Sequence, residues 1–131
     1  MNASANGSTE SDFRKILARK ILQLDGLYST SNDLKLKAQI LSQMIRLIGE
    51  IDPNVLDEEV EVEVYYEKRK KRLYDIAYDI ISDVIKEEGY RRYSNATALS
   101  WLDFVRAKIL SYLAKEKLIT VDDFEEEKNK S

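Results

Sequence analysis

Between Leu73 and Ile85 the apolar residues fall at 73, 76, 77, 80, 81, 84 and 85, the spacing of one face of an α-helix. A similar period marks three longer segments. Phe13, Ile16, Leu17, Ile21 and Leu24 form one stripe, with Arg14, Lys15, Arg19 and Lys20 facing out. This predicts a helix from Ser11 or Asp12 to about Asp25, ended by Gly26. Thr30 or Ser31 can then cap a second helix over 33–49. There Leu34, Leu36, Ala38, Ile40, Leu41, Met44, Ile45, Leu47 and Ile48 cover more than half the circumference, as in a central helix packed on two sides. After the connection Gly89–Asn95, with Ser94 or Asn95 as cap, a helix is expected over 96–116. Its main stripe is Leu102, Val105, Ile109, Tyr112 and Leu113, broadened near the start by Leu99, Trp101 and Phe104. Thr120 can cap a short last helix over 121–127.

The stretch before Leu73 carries two patterns. Asp52-Pro53 reads as the N-cap and first position of a helix, with Asp57, Glu58 and Glu59 near its positive end. Yet Glu59-Val60-Glu61-Val62-Glu63-Val64 alternates with period two, the mark of a half-buried strand. The one other strand candidate is Leu118–Val121, and an unpaired strand leaves its backbone unsatisfied. The expectation is therefore one long third helix over 54–88, about 52 Å from end to end. The alternative is a short edge strand pairing with a second copy of the chain. Short connections then imply an all-α, four-helix bundle-like domain over 11–128, after a flexible leader at 1–10 and before a frayed tail at 129–131.

Composition removes chemistries more readily than it supplies them. The chain has 131 residues, enough for one core, and neither cysteine nor histidine. Disulfides, thiolate sites and the commonest general base and metal ligand are thus unavailable. No phosphate-cradling glycine loop occurs, the serines lack a histidine and Ser-Lys pairs at useful spacing are common coincidence, so no catalytic residue, metal or cofactor is expected. Charged residues make up 34%, a mixture typical of helical proteins and seen in thermophiles. No apolar run is long enough for a membrane span, and the first residues lack the form of a secretory signal. The expected location is cytoplasmic, or a virion if the protein is viral.

The formal charge of −3 hides a block pattern: residues 51–63 carry −6 and residues 64–120 carry +4. Lys68, Arg69, Lys70, Lys71 and Arg72 form a basic run flanked by Tyr65, Tyr66 and Tyr74. Arg91 and Arg92, between Tyr90 and Tyr93, repeat the theme about 30 Å away if the third helix is straight. Bases neutralise phosphates and tyrosines stack on nucleobases, so Lys68–Arg72, Arg91, Arg92 and Tyr66 are candidate nucleic-acid contacts. The bland alternative is a solvated face with tyrosines packed along it. Val60, Val62, Val64 and Tyr65 are the candidate protein interface. Asp75, Asp79 and Asp83 share one helix face and could hold Mg²⁺ with Asp103, although Lys71 and Lys86 are ordinary partners for them. The functional expectation is a non-enzymatic helical protein that self-associates or joins a larger nucleoprotein complex, with DNA or RNA on its basic face. The alternatives are a structural or adaptor subunit without nucleic acid, including a viral structural protein, and more remotely a Mg²⁺-dependent hydrolase.

Overall fold

A computed structural model of the chain describes residues 3–64, 66–86 and 90–130, with side chains described over 12–63, 66–86 and 90–127. The protein is predominantly helical with one small sheet. In chain order it comprises α1 (Ala3–Thr30), α2 (Leu34–Ile51), a 3-10 turn (Pro53–Asp57), β1 (Glu59–Val64), β2 (Glu67–Arg72), α3 (Leu73–Ile85), α4 (Asn95–Lys115) and α5 (Val121–Lys130).

The local signals act much as their chemistry demands. Asp33, rather than the expected Thr30 or Ser31, caps α2, its carboxylate accepting from the Lys35 amide at 3.0 Å. Ser94 caps α4 through the Thr97 amide at 3.2 Å. Thr120 and Asp123 form a reciprocal box at the start of α5, each side chain accepting from the other's amide, at 3.0 and 3.1 Å. At the end of α4, Lys117 takes φ 58°, while Leu118 N–H donates to Leu113 C=O and Lys117 N–H to Ala114 C=O. That is a Schellman closure with a lysine where glycine is usual.

Two helices differ from expectation at their ends. α1 is assigned from Ala3, inside the segment read as a leader, and runs through Gly26 to Thr30. It continues because Tyr28 is a fully buried core residue of its last turns, and packing outweighs a helix-breaking preference of about 1 kcal/mol. Within its stripe Leu17 and Ile21 are buried, but Phe13 and Ile16 are exposed. α5 reaches Lys130, past the expected end at 127.

The larger correction concerns the long third helix over 54–88, which does not form. Asp52 and Pro53 do start a helical turn, and the Asp52 carboxylate accepts from the Asn54 amide at 3.0 Å, but the turn is 3-10 and ends at Asp57. The glutamate–valine stretch is then a strand, and the partner that satisfies its backbone is not Leu118–Val121. It is the basic run of the same chain, antiparallel, with Glu59 opposite Arg72, Glu61 opposite Lys70 and Glu63 opposite Lys68. Only Leu73–Ile85 of the expected helix is helical, with its apolar spacing as read.

One core joins all of this. α2 is central, packing against α1, α3, α4 and the 3-10 turn. Ala38, Leu41, Met44 and Ile48 of α2 meet Ile21 of α1, Leu73 and Ala77 of α3, and Leu102, Val105 and Ile109 of α4. Val60 and Val62 add the inner face of β1 to the same core. An ion pair between buried Asp25 and half-buried Arg106 ties α1 to α4, and the Tyr28 hydroxyl donates to Asp103 at 2.7 Å beside it. Burial and that hydrogen bond to a carboxylate push the Tyr28 hydroxyl well above its ordinary pKa.

Candidate nucleic-acid interface

The hairpin has two chemically different faces because side chains alternate along a strand. Val60 and Val62 point to the core and are buried. Glu59, Glu61 and Glu63 face away, each opposite a base of β2. All six residues of β2 are exposed, five of them lysine or arginine. Val64 stands opposite Glu67, and in the tight turn between them Tyr66 takes φ 68° and is 97% exposed.

Some of the cations are spoken for. Lys68 lies 3.8 Å from Glu61, Arg69 lies 2.9 Å from Glu67, and Arg72 bridges Asp57 and Asp75 at 3.3 and 3.1 Å. Arg72 also lies over the Tyr74 ring at 6.0 Å, and Tyr74 stacks on Tyr78 with centroids 6.3 Å apart. Among the described residues, Lys70 and Lys71 make no ion pair. From the turn to α3 the protein thus presents an exposed tyrosine, a strand of cations, and a stacked tyrosine pair.

Arg91 and Arg92 serve a different end. Asp83, buried on α3, accepts from the amides of Arg92 and Tyr93 at 2.9 and 3.4 Å, with the Arg91 guanidinium 3.8 Å away. Asp79, one turn earlier, is gripped by the Arg92 guanidinium and accepts from the Tyr93 hydroxyl at 2.9 Å. Burial works against ionisation of Asp79, but the hydrogen bonds from Arg92 and Tyr93 prevail and hold its carboxyl below the usual range. The same contact, together with burial, raises the Tyr93 hydroxyl. The aspartate ladder is therefore a clamp on the α3–α4 connection: Asp75 takes Arg72, and Asp79 and Asp83 take the loop. Asp103 is engaged by Tyr28 instead. Among the described residues no three acidic side chains converge as a ligand set for a metal.

Folding the hairpin back shortens the distance that a straight helix would impose between the two basic segments. Lys71 and Arg92 line one groove of about 320 Å³, bounded by β1, β2, α3 and the start of α4. Val62, Ile76 and Ile80 supply its apolar wall, and Tyr93, Thr97 and Trp101 close the other side. Trp101, the single tryptophan of the chain, is half-buried and meets Phe104 edge-to-face at 5.7 Å. Sequence reasoning placed it merely as a broadening of the α4 stripe. An aromatic flanking such a stripe four residues after an exposed Thr97 carried no sign of the groove, because the hairpin that forms its far wall was read as helix.

Of the candidate protein-interface residues, Val60 and Val62 are in the core and unavailable to a partner. The side chain of Val64 and all of Tyr65 lie outside the described residues. Among the described residues no helix is long and apolar enough to cross a membrane. No family model matches the chain, and neither a curated protein nor a solved structure does.

Proposed function

We propose that the protein is a non-enzymatic interaction module that binds single-stranded nucleic acid along β2 and assembles into a larger nucleoprotein complex. One observation carries the first half: β2 is exposed over its full length, with Lys70 and Lys71 free of ion pairs among the described residues. Exposed tyrosines stand at both of its ends, Tyr66 at the turn and Tyr74 and Tyr78 on α3. A cationic track flanked by aromatic rings suits a flexible strand, whose phosphates follow the cations while bases stack on the rings. The glutamates of β1 face the other way from the core and temper the positive field, which favours a weak, salt-sensitive contact over a tight one.

The assembling half rests on α1. Phe13, Ile16 and Leu27 lie on one flank of that helix and are each more than half exposed, at 55, 55 and 59%. Apolar side chains aligned along a helix invite a partner helix.

The test measures fluorescence anisotropy of a labelled single-stranded oligonucleotide across a salt series, for the wild type and Lys70→Glu with Lys71→Glu. The expected result is binding that weakens steeply with salt and is lost in the variant, while circular dichroism is unchanged. Binding that ignores the two substitutions removes β2 from the proposal.

A further inference from the structure

The groove beneath the hairpin has the features of a base-binding pocket. Its wall is apolar on one side, from Val62, Ile76 and Ile80, and carries an indole on the other, from Trp101. Its volume of about 320 Å³ is at the small end for ligand sites and admits one base with its sugar, not a base pair. Lys71 and Arg92 both line it; the Arg92 guanidinium is held by the carboxylates of Asp79 and Asp83, whereas Lys71 makes no ion pair among the described residues. Glu63 and Asp79 also line the groove, so its rim carries both signs of charge, but among the described residues neither forms an ion pair with Lys71. The Thr97 hydroxyl supplies a polar atom at the same lining, and the Tyr93 hydroxyl there donates to Asp79. Proteins that read single strands take an unstacked base against an aromatic ring and its phosphate on a cation.

We infer that this groove captures one unstacked nucleobase of a single strand, stacked against Trp101, with its phosphodiester on Lys71. The inference rests on the reading of β2 as a single-strand track, and adds to it a discrete site where that track meets α4. Lys71 belongs to both, since it lies on β2 and lines the groove. The base is the group that fits: one wall is apolar, the aromatic partner is an indole, and Lys71 lies in the same lining without an ion pair among the described residues. A duplex cannot enter without unpairing, so the site selects single strands.

Trp101 reports on the groove directly because no other tryptophan contributes to the signal. The experiment titrates the protein with a short single-stranded oligonucleotide of mixed sequence and with an abasic strand of equal length. It follows Trp101 emission and, with labelled strands, anisotropy. The natural strand is expected to quench Trp101, and the abasic strand to bind by anisotropy without quenching. Thr97→Phe, at an exposed position, fills the groove without disturbing the core and should lower affinity for the natural strand about tenfold, the magnitude of one lost base stack. It should leave the abasic strand unaffected. Binding without quenching, equal quenching by both strands, or indifference to Thr97→Phe overturns the groove while leaving β2 as the track. No anisotropy change with either strand overturns both.

Discussion

Glu61 stands directly opposite Lys70 across the antiparallel ladder of β1 and β2. The most acidic and most basic segments of the chain are thereby the two strands of one hairpin. Opposite charges on facing positions stabilise a sheet by roughly 0.2–1 kcal/mol a pair, and like charges act against it. Glu61→Lys should therefore lower stability by several tenths of a kcal/mol, and Glu61→Lys with Lys70→Glu should restore most of the loss. A double-mutant cycle by urea denaturation at low and high salt measures this. A coupling near zero at low salt would mean that the register is held by the valines alone.

Val62 is buried although it belongs to a run that could have been an exposed interface. Val62→Ala removes two buried methyl groups and should cost about 2 kcal/mol of unfolding free energy. Val62→Glu should unfold the hairpin rather than merely dissociate an assembly. Thermal denaturation followed by circular dichroism distinguishes the two, since loss of assembly alone leaves the monomer's melting unchanged.

Lys117 holds a left-handed conformation, φ 58°, at the close of α4. A side chain there costs about 1 kcal/mol relative to glycine, which meets no Cβ clash. Lys117→Gly should raise the melting temperature by a few degrees, and Lys117→Val should lower it, both read by differential scanning calorimetry.

Asp79 has a folded-state pKa below the ordinary carboxyl value, held there against burial by hydrogen bonds from Arg92 and Tyr93. Its stabilising contribution is thus fully present above the unfolded pKa, near 3.9, and is lost as pH falls through the lower folded value. The wild type should lose stability on acidification below about pH 4, and Asp79→Asn should lose less over that window because its contribution is already absent. Urea midpoints measured from pH 6 downward test this. Parallel curves for the two proteins would remove Asp79 from the acid response.

Three kinds of feature were legible in the residues. The periods of α2, α3 and α4 could be read because each repeats one buried face over several turns. The caps at Ser94 and Thr120 were readable because a side-chain oxygen needs only amides two or three residues away. Asp52-Pro53 likewise starts a turn where expected, but nothing local says that the turn will stop after Asp57. The basic run and its tyrosine flanks were picked out as a candidate surface. Its place on an exposed strand was not, because Glu67–Arg72 buries nothing and so shows no alternation of apolar and polar positions.

What the amino-acid order settled by itself is therefore the helical class of the protein, its central helix and the caps at Ser94 and Thr120, since these depend on neighbours within a few residues. Tertiary structure alone decided between strand and helix at Glu59–Val64. A strand is stable there only because Glu67–Arg72 returns to satisfy its backbone and Val60 and Val62 find the core. It alone also turned the aspartates of α3 into partners for Arg72, Arg91 and Arg92, and brought Lys71 and Trp101 to one groove, thirty positions apart in the chain. Such contacts are set by where the hairpin folds back, and no spacing along a single element encodes that distance.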